Sequence, residues 1–174
     1  MFITVIRHGL GALQSCRQIN YKHMKLLYSI MITVGAGAIA GWATASNIGN
    51  WYAQLYKPSF NPPNRIFGPV WTILYILMGI ALYLVWKTPP SVQRRNALLL
   101  FAVQLFLNFC WSFLFFYFHL TGWALADSIL LWTAILATMF LFSPLSPTAS
   151  WLLLPYISWV SFATILNLAI HRLN

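Results

Sequence analysis

The chain has 174 residues, 60% hydrophobic and 6% charged, with a net charge of +9 and a single acid, Asp127. A water-soluble domain coats itself with roughly a quarter charged residues, and a disordered chain needs low hydrophobicity, so both are excluded. What remains is a polytopic membrane protein, whose apolar outer face lipid tolerates. At about 20 residues per spanning helix, the length holds at most about five to six spans and no second domain. The basic residues lie between apolar runs rather than on one soluble face, which is the placement that sets membrane topology. Nucleic acid, which wants a basic patch, is therefore not an expected partner; membrane lipids are.

Residues 1–25 carry Arg7, Arg17, Lys22 and Lys25 and no acid, interleaved with Phe2, Ile3, Val5, Ile6, Leu10 and Leu13. They read as a basic tail for targeting, an interfacial helix, or an upstream extension with Met24 as a rival start, and the sequence leaves the three open. Five apolar runs follow, at about 26–46, 66–86, 96–118, 122–142 and 151–171. Each can cross some 30 Å of hydrocarbon as a helix, and none alternates as a barrel strand does. The expected fold class is an all-α membrane protein, a five-transmembrane-helix bundle over 26–172.

The first run ends in Ala43-Thr44-Ala45, which resembles a signal-peptide cleavage site. It is longer than a signal core of roughly 7–15 residues, and it holds Gly37 and Gly41 four apart, a spacing that lets helices meet closely in lipid. A retained span is the expectation. The connection 47–65 is rich in aromatics and stiffened by Pro58, Pro62 and Pro63, which forbid a continuing helix; long loops of this kind are often lids. Seven Lys/Arg fall on the side of the tail and three on the other, which puts the N-terminus in the cytoplasm.

Polar residues inside spans are expensive and therefore informative. Gln104, Asn108 and Trp111 share one face of the third run. Trp159, Ala163, Leu166 and Asn167 share a stripe of the fifth, and Trp71, Tyr75, Met78 and Gly79 a stripe of the second. These faces read either as an aromatic cavity with a few amides or as amide glue between helices. Asp127 lies one turn into the fourth run, and a lone carboxylate cannot perform paired acid–base chemistry. Of the nine tryptophans, Trp51, Trp86, Trp123 and Trp151 lie near run ends as an interfacial belt. Trp71, Trp111, Trp132 and Trp159 lie deeper, where indole faces suit a flat ligand. His8, His23, His119 and His171 form no metal pair, Cys16 and Cys110 read as free thiols, and no phosphate loop or nucleophile elbow is present.

In order along the chain stand Trp51-Tyr52-Ala53-x-Leu55-x-Lys57-Pro58-Ser59, Pro62-Pro63 and Gly68-Pro69-Val70-Trp71-x-x-Leu74-Tyr75. Then come Gln104-x-x-x-Asn108-x-x-Trp111, Gly122-Trp123-Ala124-Leu125-x-Asp127 and Pro155-Tyr156-x-x-Trp159-x-x-Phe162-Ala163-Thr164-x-Leu166-Asn167. This set, over about residues 30–172, resembles the TspO/MBR family of translocator and tryptophan-rich sensory proteins. The resemblance implies a five-helix bundle with a lid-like first loop over a central pocket, usually a homodimer, in a bacterial membrane or the mitochondrial outer membrane. It implies porphyrin or haem as ligand, with no obligatory cofactor and no metal, and sterol-like ligands in animal members. The implied roles are tetrapyrrole sensing, sequestration or transport. Light- and oxygen-dependent porphyrin degradation is the alternative, with Trp71 and Trp159 at the positions of the family's reactive tryptophans. The family's pocket positions fall on Gly41, Thr44, Phe67, Gly68, Trp123, Trp159, Ala163 and Leu166, and its lid on Trp51, Lys57 and Pro58, with Pro62 in the same loop. With Trp71, Tyr75, Asn108, Trp111 and Asn167 from the polar and aromatic faces, these make the expected ligand-binding set. The sterol-recognition stretch of animal members is broken here, because Leu168 stands in place of its tyrosine.

Overall fold

The computed structural model describes residues 2–174, with side chains from His23 onward. Arg7, Arg17, Lys22, Cys16 and His8, and the three readings of the tail, lie outside the described side chains.

The helices are α1 (Phe2–Ile48), α2 (Trp51–Gln54), α3 (Phe67–Trp86), α4 (Val92–Ser112), α5 (Thr121–Phe142), α6 (Pro147–Leu152) and α7 (Leu154–Leu173). A 3₁₀ turn at Asn64–Ile66 leads into α3, and a π turn at Phe113–Tyr117 continues α4. Five units are long and apolar enough to span a bilayer: His23–Ile48, Asn64–Trp86, Val92–Tyr117, Thr121–Phe142 and Pro147–Leu173.

The ends follow from local chemistry. Ser91 is extended, and its hydroxyl accepts from the Arg94 N–H at 3.1 Å, which caps the start of α4. Ser146 does the same for Ala149 at 3.4 Å, with Pro147 in the first turn of α6. Pro155 has no N–H to give the preceding turn, so the last apolar run is two helices that meet at Leu153. At the end of α4 the Phe118 N–H donates to the Phe113 carbonyl at 2.9 Å, a five-residue step, and the wider turn carries Phe115 and Phe116 both inward. The short link to α5 then turns through His119, whose φ of 60° is left-handed.

The helices form a ring in the order α1, α3, α6–α7, α5, α4, which closes on α1. Lipid gives no hydrophobic drive between helices, so close packing and interhelical hydrogen bonds hold the ring. α1 and α3 pack backbone to backbone at Gly79, where an added Cβ would lie 2.7 Å from the Ile30 Cα. Beside it the Thr33 hydroxyl donates to the Tyr75 carbonyl at 2.8 Å. The Trp132 indole donates to Ser161 at 2.8 Å between α5 and α7, and Ser150 donates to the Met139 carbonyl at 2.9 Å between α6 and α5. Met78, Tyr156 and Phe142 fill the centre, while Trp42, Phe106, Phe140 and Trp151 face outward.

Candidate functional site

A cavity of about 390 Å³ lies between α1, the start of α3 and the end of α4. Its α1 wall is small-residued: Val34, Gly37, Gly41, Thr44 and Ile48 follow one another at three- and four-residue steps and so share one face. Opposite stand Asn64, Phe67, Gly68, Trp71 and Tyr75, and Trp111, Ser112 and Phe116 close the third side. The lining is mostly apolar and aromatic with a few hydroxyls and amides, the usual make-up of a small-molecule site. At the floor the Tyr75 hydroxyl donates to the Asn108 side-chain oxygen.

A second, small hollow of about 20 Å³ sits behind this cavity, against Ala163, Leu166 and Asn167. Phe67, Trp111 and Phe116 line both, so those three rings are the partition between them.

The loop 49–66 lies at this end of the bundle. Tyr52, in α2, is buried against Phe115 and Phe116, with ring centroids 6.1 and 5.6 Å away. Trp51 stacks on His119 at 4.1 Å and meets Phe115 edge-on at 5.5 Å. The Tyr52 hydroxyl donates to the Asn61 side-chain oxygen at 2.7 Å, which folds the loop onto itself. Lys57 donates to the Ala53 and Leu55 carbonyls at 3.2 and 3.1 Å and sits 4.9 Å from the Tyr52 ring centre. The far end of α7 holds the loop too: the Tyr56 N–H donates to the Asn174 side-chain oxygen, and the Asn174 amide donates back to the Tyr56 carbonyl, both at 3.0 Å. Burial pushes the Tyr52 phenol up to about 12.

The expected ligand residues divide by place. Gly41, Thr44, Phe67, Gly68, Trp71, Tyr75 and Trp111 line the cavity, and Asn108 lies beneath it. Ala163, Leu166 and Asn167 line the small hollow. With its amide turned to satisfy both partners, Asn167 donates to the Thr121 carbonyl at 3.2 Å and accepts from the Leu125 N–H at 3.0 Å, which ties α7 to the first turn of α5. Trp159 lies outside both spaces, in a groove of about 380 Å³ between α3 and α7 with Val70, Ile73 and Phe162; Phe67 meets it edge-on at 6.0 Å. Trp123 is 71% exposed on the outside of α5. Trp51, Lys57, Pro58 and Pro62 line none of the cavity and belong to the loop. Asp127 is buried, and one of its carboxylate oxygens has no hydrogen-bond partner among the described residues.

Val34, Gly37, Ile48, Asn64, Ser112 and Phe116 were not singled out from the sequence as cavity lining. The Gly37–Gly41 spacing was the available signal, but small residues four apart fit a helix contact as well as a cavity wall. Gly37 in fact serves both, since an added Cβ there would collide with the Tyr75 ring.

The sequence profile of the TspO/MBR family matches residues 29–173, which takes in every wall of the cavity and the whole loop. The chain belongs to the TspO/MBR family. It is 42% identical over 151 residues to the Tryptophan-rich protein TspO of Archaeoglobus fulgidus, covering 87% of this chain and 97% of that one. It is 43% identical over 126 residues to the Translocator protein of Homo sapiens, 71% of this chain and 75% of that one. With the Tryptophan-rich sensory protein of Cereibacter sphaeroides it shares 36% over 149 residues, 86% and 91% of the two. As a TspO/MBR protein with five spanning units, it is a multi-pass integral membrane protein.

Proposed function

We propose that this TspO/MBR protein binds planar, largely apolar ligands of the porphyrin and haem class in the cavity between α1, α3 and α4, and senses, sequesters or moves them. The observation that carries the reading is the wall itself. Flat aromatic faces from Phe67, Trp71, Tyr75 and Trp111 stand opposite a glycine-lowered face of α1, a slot suited to stacking. The cavity, about 390 Å³, is near the small end of ligand sites, and the hollow behind it adds only about 20 Å³, so a macrocycle is gripped over part of its face with the rest beyond the walls. The test is quenching of tryptophan fluorescence by protoporphyrin in purified protein. Saturable quenching that weakens in Trp71→Phe supports the reading, and an unchanged titration sinks it.

One observation favours a second reading, light-driven degradation of the bound porphyrin. Trp71, in the cavity wall, has Tyr75 and Tyr156 behind it at centroid distances of 5.6 and 6.3 Å, a set of oxidisable rings beside the ligand. Repeated turnover under light and oxygen, lost in Trp71→Phe, is its signature; a single stoichiometric bleaching counts against it.

A further inference from the structure

The opposite end of the bundle has a hollow of its own, about 550 Å³, at the start of α4. Its rim is Ser91, Val92, Arg94 and Arg95; its lower wall is Leu98 and Leu99. We propose that it seats the headgroup of an anionic phospholipid, with the two arginines on the phosphate and the acyl chains against the leucines.

Three observations converge on that occupant. The arginines are differently held. Arg94 is half-buried and donates through Nη1 to the Thr88 carbonyl at 2.6 Å and the Trp86 carbonyl at 3.5 Å. Its guanidinium is thereby fixed against the end of α3. Arg95 is exposed, and its guanidinium has no hydrogen-bond or carboxylate partner among the described residues. One fixed and one free guanidinium, side by side, match the several acceptor oxygens of a phosphodiester.

The protein supplies no counter-charge here. Lys25 and Lys87 stand at the same end, 5.8 Å over Trp86 and 5.4 Å over Tyr83. The chain's sole acid, Asp127, lies in the second turn of α5, near the loop end of the bundle. The negative charge must come from outside the chain.

The wall below the rim is greasy and open. Leu99, one turn on from Arg95, is 60% exposed, and Leu98 beside it is half-buried. A free phosphate would leave these side chains uncovered, whereas a lipid covers them with its chains. Lys25 and Lys87 thus join the two arginines at this end, and basic groups gathered at a membrane surface attract anionic lipid.

The test is native mass spectrometry of the purified full chain titrated with phosphatidylglycerol or phosphatidylcholine. Phosphatidylglycerol should be retained preferentially. Arg95→Gln should cut that retention about fivefold, the weight of one cation at an anionic surface. Arg95→Lys should keep most of it, and Arg172→Gln, at the other end, all of it. Equal retention of the two lipids overturns the proposal. So does an equal loss in Arg172→Gln, or displacement of the bound lipid by millimolar inorganic phosphate.

Discussion

Tyr75 donates its phenolic proton to the side-chain oxygen of Asn108, and this bond ties α3 to α4 directly beneath the cavity. Both residues are buried, and the Asn108 amide also faces the buried Tyr156 hydroxyl. Tyr75→Phe removes the hydrogen bond to the amide oxygen and leaves that oxygen buried and unpaired, at a cost of about 1–3 kcal/mol. Tyr75→Phe with Asn108→Leu should recover part of the loss, because the stranded group goes too. Unfolding midpoints of the single and double variants in detergent check this; a double variant less stable than the single one contradicts it.

Gly37 and Gly41 lie one turn apart on the same wall and should respond oppositely to alanine. At Gly37 the new methyl runs into the Tyr75 ring, so Gly37→Ala should destabilise the protein by about 1–3 kcal/mol, the usual cost of overpacking. At Gly41 a methyl meets nothing within 4 Å. Gly41→Ala should raise the melting midpoint, since alanine is the better helix former, and lower ligand affinity by occupying cavity space. Melting and fluorescence titration of both variants separate the two effects.

Trp71 and Trp159 stand on opposite sides of Phe67, one lining the cavity and one the groove between α3 and α7. Trp71→Phe should weaken porphyrin binding about tenfold, about the 1.4 kcal/mol equivalent of losing one good stacking partner. Trp159→Phe should leave it within about twofold, since its indole reaches ligand only through Phe67. Phe67→Ala, which removes one stacking face of the wall, should weaken binding as Trp71→Phe does. Equal losses in Trp71→Phe and Trp159→Phe would mean that the ligand sits elsewhere.

The loop should loosen at high pH. The Tyr52 phenol holds its proton to about 12, against 10.0 for a free tyrosine, so the folded loop favours the protonated donor. Its contribution is intact below pH 10 and is lost as pH rises from 10 to 12, because the unfolded form ionises first. Near-ultraviolet circular dichroism of Trp51 and its neighbours should change over that window in the native protein. In Tyr52→Phe the loop should already be loose at neutral pH and show a smaller change.

The five-helix bundle is legible in the sequence because lipid removes ambiguity: long runs without charge have few other homes. The cavity is legible only by halves. Periodicity puts Trp71 and Tyr75 on one face of α3, and Trp159 and Ala163 on one face of α7. It does not say which neighbour each face meets, and α3 presents Trp71 to α1 while α7 turns Trp159 to the outer groove. The break at Leu153 was marked by Pro155 all along. The π turn at Phe113–Tyr117 left no mark, because a run of Phe and Tyr is apolar in any helical register. Asn174 and its hold on Tyr56 rest on residues 118 positions apart, a pairing that no local pattern reveals.

That π turn gives the chain a frame-dependent weak point. It accommodates one residue more than an α-helical turn, so excising a single aromatic from Phe113–Tyr117 should restore an unbroken α-helix. The cost would fall within the turn: neighbouring α-helical residues stand about 100° apart, so Phe115 and Phe116 could no longer both take the inward places that the wide turn gives them beneath Tyr52. A one-residue deletion would thus unmake the loop's anchorage while lengthening the regular helix, the reverse of what helix propensity alone would favour.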